Sequence, residues 1–284
     1  SDGKAAPQSY SLLMKVSVNS DVHQLYTSRN KMKAFAMLLM IKMVFSAPIN
    51  SDENRDIKDP DLFEGDMILT PEQRAYAMMG LDVSAPNKQG GASRGPLWPN
   101  GVLIYDISPV LANIPTAMAA IIAGMDEWSR KTCIRFRKRT TETDYAYFKY
   151  GSGCFSPVGK IGSRQDIILG DGCWGRGYVA HEIGLSLGFY HEQSRPDRDI
   201  YVSILWDNIL PDKKYAFAKY GKFYIDSLGS PYDYRSVMHY KANAFTKNGL
   251  PTILVKQPGN IIGQRDGLSA LDADQAKKLY RCGM

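Results

Sequence analysis

The sequence predicts an α+β domain, and three observations carry that prediction. Strand-like and helical patterns crowd between positions 101 and 187, the second half is largely irregular, and a last capped helix opens near position 269. A composition of 44% hydrophobic and 23% charged residues over 284 positions belongs to a globular chain long enough to bury a core. The net charge of +6 is scattered. Its densest cluster, Arg135, Arg137, Lys138 and Arg139, alternates with Phe136 as on the solvated face of a strand, so no nucleic-acid partner is expected. No apolar run reaches 18 residues, so no membrane-spanning helix is expected.

Taken in order, Met32-Lys33 precedes an apolar stretch, 34–47, that ends in the small residues Ser46 and Ala47. That is the make-up of a secretory signal peptide, here 32–47, and it predicts a secreted, extracellular protein. Lys42 keeps open the alternative of a buried helix in a pro-segment. The signal reading makes residues 1–31 upstream sequence that need not be translated. From Asn50 to Asp66 the chain is acidic and polar. Thr70-Pro71-Glu72-Gln73 predicts a helix start, with Thr70 as N-cap, Pro71 in the first turn and Gln73 closing a capping box. Residues 87–99 are rich in Gly, Ser and Pro and contain Lys88 and Arg94, which marks an exposed, protease-sensitive linker. A short acidic segment ahead of such a linker suggests a pro-segment, 48–88, guarding an active site in a domain at 89–284.

Within that domain, Gly101 to Ile107 is strand-like. Asn113 and Pro115 open a helix with Ala117, Ile121, Ile122, Met125 and Trp128 on one side. Further strands are expected at 133–136, 145–150 and 166–169, then a helix around 176–187. Ser269 caps a last helix, with Asp272 three residues on. The four cysteines, Cys133, Cys154, Cys173 and Cys282, predict two disulfides in an oxidising compartment, with three pairings open. A four-cysteine zinc site is disfavoured because no C-x2-C pair is present. No spare cysteine remains for an intermolecular bridge, and a monomer is expected.

The chemistry is concentrated in 181–191. A zinc protease helix needs two histidines one turn apart, so that both imidazoles face one ion. It needs a glutamate beside the first histidine as general base, and a glycine that stops the helix so that a third histidine returns to the ion. His181, Glu182, Gly188 and His191 stand at those spacings, but position 185, where the second histidine belongs, is leucine. Downstream, Ser236-Val237-Met238-His239-Tyr240 offers Met238 as an apolar floor under a metal and Tyr240 as a phenolic oxygen. A buried helix that merely carries histidines is the plain alternative. Against it, three of the four histidines in the chain fall in these two segments.

On these residues the sequence resembles the astacin family of secreted zinc endopeptidases, within the metzincins. The extended signature runs from His181-Glu182 through Leu185, Gly188-Phe189 and His191-Glu192 to Arg195 and Asp197-Arg198-Asp199, with a Met-turn at 236–240. Leu97-Trp98-Pro99, Trp128 to Phe136, Gly151-Ser152-Gly153-Cys154 and Gly263-Gln264-Arg265 through Cys282 match as well, so the resemblance covers about 60–284. It implies a two-subdomain catalytic domain with a twisted sheet above a cleft and irregular chain below. It implies one zinc ion on His181 and His191, Glu182 as general base, and Tyr240 as a tyrosine that ligates zinc at rest and then holds the oxyanion. Glu192 would receive the new N-terminus after activation, and the disulfides would be Cys133–Cys282 and Cys154–Cys173. Phe63-Glu64-Gly65-Asp66 resembles the family's aspartate switch, in which Asp66 ligates zinc and keeps the proenzyme latent. Polypeptides would be the substrates, and an activating protease would cut near Lys88 or Arg94, with Lys88 preferred.

Leu185 has no lone pair for a metal. A structural zinc site contributes roughly 10–16 kcal/mol, so one ligand of four carries about 3–4 kcal/mol. Zinc affinity should therefore drop by roughly 10²–10³-fold, and the chain should be a poor protease or none. A natural pseudoprotease serving as a peptide-binding or decoy module, a sequence error or allele, and an inactivating substitution all fit Leu185. The retained Glu182, His191, Tyr240 and Asp66 favour a protease lineage.

Overall fold

The computed structural model describes Asn54 and residues 62–79, 97–221 and 225–283, all within one compact unit spanning Asn50–Met284. The expected upstream segment, the signal peptide and the cleavage positions Lys88 and Arg94 lie outside the described residues. The fold is α+β. Its main sheet has seven strands: β1 (Leu62–Phe63), β2 (Met67–Ile68), β3 (Val102–Ile107), β4 (Arg135–Lys138), β5 (Tyr145–Lys149), β6 (Cys154–Pro157) and β7 (Arg164–Leu169). Their spatial order is β1-β2-β6-β7-β5-β3-β4. The β3, β4, β5 and β7 pairings are parallel, β6 lies antiparallel to β7, and β2 adds parallel to β6 at Met67↔Ser156 and Ile68↔Pro157.

Two hairpin strands here escape a reading by periodicity. β1 and β2 are two residues each, too short to show an alternation, and Glu64-Gly65-Asp66 forms their tip. The helix that follows, α1 (Pro71–Met79), begins where the capping box predicts. Gln73 N–H donates to Thr70 Oγ1 at 3.2 Å and Thr70 N–H donates to Gln73 Oε1 at 2.9 Å. The Gln73 amide also donates to Val158 O at 2.9 Å, which ties this helix start to the end of β6.

Helix α2 (Pro109–Ala112) takes Asn113 as its C-cap, so α3 (Pro115–Lys131) opens at Pro115 without Asn113. The buried face of α3 is Ala117, Ala120, Ile121, Gly124, Met125 and Trp128. Ile122 is 49% exposed because it stands about 100° round from Ile121, outside the stripe. The strand expected at 133–136 starts two residues later, since the chain leaves α3 through Thr132 and the disulfide at Cys133. Its outward residues Arg135, Arg137 and Lys138 belong to the basic cluster, whose fourth member, Arg139, follows the strand.

Helix α4 (Arg176–Ser186) packs against α3, and Trp128 Nε1 donates to Ala180 O at 2.9 Å. One core joins these helices to the sheet through Leu103, Phe148, Ile167, Ile183 and their neighbours. Beyond 187 the chain runs through short 3-10 turns and a two-stranded ribbon, β8 (Val202–Ile204) with β9 (Ile253–Val255). A second core of Val202, Phe217, Tyr240, Phe245 and Ile253 lies in this half. Helix α5 (Ala270–Leu279) closes the chain with a complete Ser269–Asp272 capping box. Cys133 is bonded to Cys282 and Cys154 to Cys173, closing separations of 149 and 19 residues. No helix among the described residues is long and apolar enough to cross a membrane.

Candidate active site

Helix α4 is covered on both faces, with every residue from Val179 to Ser186 buried. It therefore shows no amphipathic stripe, and its histidines are the signal that marks it. It ends in a Schellman closure: Gly188 N–H donates to Leu185 O at 2.8 Å and Phe189 N–H to Gly184 O at 3.0 Å. Gly188 sits at φ 101°, where a Cβ would be strained, and the reversal brings His191 back beside His181. The two imidazoles stack with centroids 5.3 Å apart and 17° between planes. Met238 packs against α4, its Sδ 2.7 Å from where a Cβ on Gly184 would stand.

Both rings are oriented through Nδ1. His181 Nδ1 is 2.8 Å from Val237 O, and His191 Nδ1 is 2.6 Å from Glu64 Oε2. Each Nδ1–H donates outward, which leaves each Nε2 facing inward. Between them stands the Asp66 carboxylate, its Oδ2 3.1 Å from His181 Nε2 and 3.2 Å from His191 Nε2. Tyr240 borders the group, its ring centroid 4.9 Å from that of His191, and its hydroxyl donates to Glu64 O. Glu182 is buried one residue beyond His181.

Asp66, His181 and His191 are the set among the described residues whose ligand atoms converge as a metal would require, all within 4.8 Å of one another. The residues fit a divalent ion of the zinc kind. Asp66 Oδ1 is buried and accepts no well-aligned hydrogen bond, and two Nε2 atoms share its partner oxygen. Burial alone would raise the Asp66 carboxyl, but the imidazoles beside it, His191 foremost, hold it well below the carboxylate range. Burial lowers the His181 imidazole. Burial pulls His191 the same way, but the charges and hydrogen bonds of Asp66 and Glu64 outweigh it and raise that imidazole to about 9.

Leu185, one turn from His181, is fully buried and belongs to the main core; its carbonyl accepts from Gly159 N–H at 2.9 Å. His239 is also buried but stands outside the converging set, between Tyr232 Oη at 2.7 Å and Tyr240 O at 2.8 Å. Glu192 lies beside the site with Asp233 and Asp272 as further buried carboxylates. It accepts from Arg195 Nη1 at 3.1 Å and Asp233 N–H at 2.8 Å, and burial pushes it up to about 8.

Two contributors have no signal in sequence spacing. Glu64 is buried, and its second oxygen accepts from Ser194 Oγ at 2.9 Å. Asn54, a hundred residues from its partner, accepts Cys154 N–H at 2.9 Å and donates its amide to Cys154 O at 2.5 Å. Together with Ser156 N–H on Asp66 O at 2.9 Å and Val158 N–H on Ile68 O at 3.2 Å, the N-terminal residues cover the free edge of β6.

A glutamate and two converging histidines on a helix and its return are the arrangement found at the metal sites of one class of peptidase. Residues 92–281 match the model of the Astacin peptidase family, and the chain belongs to that family of zinc metalloproteases. It is similar to the zinc metalloproteinase nas-15 of Caenorhabditis elegans, 38% identical over 250 residues, 84% of this chain and 43% of that protein. It is likewise 42% identical over 237 residues to nas-14 of the same organism, 82% of this chain and 44% of that protein. The chain thus spans less than half the length of these relatives. Among solved structures, the hatching enzyme zinc-protease HCE-1 of Oryzias latipes aligns with TM-score 0.61 at 38% identity, over 66% of this chain and 94% of that one.

Proposed function

We propose that this chain is the latent proenzyme of a secreted zinc endopeptidase, with hydrolysis by the chain itself limited by Leu185. The observation that carries the reading is the Asp66 carboxylate held between two imidazoles whose other nitrogens are already committed. His181 and His191 would hold one zinc ion. When bound, zinc supplies a Lewis acid that activates water and polarises a carbonyl. Glu182 accepts the proton of the attacking water and passes it to the leaving amine. Tyr240 donates its phenolic hydrogen where negative charge develops on the substrate oxygen, once Glu64 O no longer occupies it. Met238 serves as the floor that keeps the helix and turn at a fixed distance.

Polypeptides are the substrates that this cleft suits. The β6 edge carries the N–H groups of Ser156 and Val158, and an extended chain that replaced β2 would take up the same donors. That strand pairing makes residues 48–88 a pro-segment in this reading: β2 takes the substrate's place on β6 and Asp66 caps the metal. An activating protease cutting near Lys88 or Arg94 would release them. The test is hydrolysis of an unfolded protein by the chain after that cut. Slow turnover, abolished by a chelator and by Glu182→Gln, is expected; turnover indifferent to both would sink the reading.

Glu192 is the proposed anchor for the new N-terminus. Three buried carboxylates, Glu192, Asp233 and Asp272, stand in one region, and an incoming ammonium would offset their repulsion. Breaking a buried pair by removing one partner costs about 3–5 kcal/mol. Glu192→Ala should therefore lower the stability of the cleaved chain, which loses the ammonium pair as well as the Arg195 pair, by more in denaturant melts than that of the uncleaved chain, which loses the Arg195 pair alone. Equal losses in both would remove Glu192 from this role.

A further inference from the structure

The N-terminal hairpin supplies this site with more than a plug. With leucine at 185, α4 brings one imidazole to the converging set instead of two, and His191 is the second. The third atom is a carboxylate oxygen of Asp66, which arrives from the β1–β2 tip 115 residues away from His181. The same tip supplies the partner that orients His191: Glu64 Oε2 takes its Nδ1–H at 2.6 Å, while Ser194 Oγ steadies Glu64 Oε1 at 2.9 Å. Tyr240 is held to the tip as well, through Glu64 O. The tip is itself fixed. Gly65, at φ 88°, packs so closely on Phe245 that a Cβ would stand 2.5 Å from its ring, and β2 is paired to β6 on the far side.

We propose that in this chain Asp66 is an obligatory metal ligand and Glu64 its supporting partner, so that the pro-segment is what retains the zinc. The proposal rests on the reading of 181–191 as a zinc site. Where a helix carries both histidines, an aspartate from a pro-segment is a fourth group added to a set complete without it. Here the protein has two imidazoles, and removing Asp66 leaves a pair that binds a divalent ion weakly. Loss of the pro-segment would then cost the chain its metal as well as its latency, the reverse of an ordinary activation. Glu64 matters in the second rank, because an uncommitted Nδ1 lets the His191 ring rotate and lowers its basicity.

The experiment is zinc affinity, measured by competition with a chromophoric chelator on the full-length chain, with no turnover needed. Asp66→Ala should weaken zinc by roughly 10²–10³-fold, and Glu64→Ala by about 10–100-fold, with Glu64→Gln recovering most of the loss. In full-length Leu185→His, which restores a third imidazole, Asp66→Ala should weaken zinc by clearly less than it does in the Leu185 chain, because three imidazoles remain to hold the ion. This second pair keeps the test decisive if Asp66→Ala disturbs folding, because a folding defect would appear in both backgrounds alike. Equal zinc affinity with and without Asp66 in the Leu185 chain overturns the proposal and leaves the zinc site standing. A full-length chain that takes up no zinc overturns the zinc site and the proposal together.

Discussion

Replacing Leu185 with histidine should raise hydrolysis of an unfolded protein by the cleaved chain roughly 10²–10³-fold, and adding Glu182→Gln should abolish the gain. The magnitude follows from the share of one ligand. With about 10–16 kcal/mol for a structural zinc site, a quarter is about 3–4 kcal/mol, and each ~1.4 kcal/mol is tenfold. The loss on Glu182→Gln is that of a general base, about 10²–10⁴-fold. The substitution carries a structural signature too. Position 185 is fully buried in the main core, so an imidazole without a metal partner is a buried polar group and should lower the melting temperature. Zinc should restore it, because the imidazole then has a ligand to make. Full folding with zinc and no hydrolysis would place the defect elsewhere than 185, and a peptide-holding role without cleavage would gain.

In the histidine-restored full-length chain, Asp66→Ala should raise activity by at least about tenfold before any cleavage. Asp66 Oδ2 stands 3.1–3.2 Å from both Nε2 atoms, where a substrate oxygen or water has to come. A hydrogen bond involving a charged group contributes about 1.5–3 kcal/mol, which converts to about 10–100-fold for one such contact released. Full activity should still require cleavage. The substitution leaves β2 paired with β6, Asn54 clasped on Cys154 and Gln73 bonded to Val158 O, so the sheet edge stays occupied. A single-turnover assay on the uncleaved variant checks this, and unchanged activity would remove Asp66 from the latency mechanism.

What the residues disclose locally, they disclose well. The Thr70–Gln73 and Ser269–Asp272 capping boxes form as their spacing predicts, because a cap is a bond between side chain and backbone three residues apart. The departures are local as well. Asn113 ends one short helix and does not open the next, and Ile122 falls outside the buried stripe that a 3.6-residue period allows.

The sequence by itself determined the chemistry of the helix: His181 and Glu182 side by side, Gly188 to turn the chain, His191 to return, and the leucine that breaks the set. All of these follow from helix geometry over a few turns of chain. Only the tertiary structure decided that Glu64 orients His191 and that Asn54 and β2 cover the β6 edge, whereas the cysteine pairing is the one the resemblance implies. The side-chain partners lie 127 and 100 residues apart, and strands of two residues carry no periodicity to announce them. Their pairing is fixed by where the folded sheet leaves an open edge, a property no window of sequence contains.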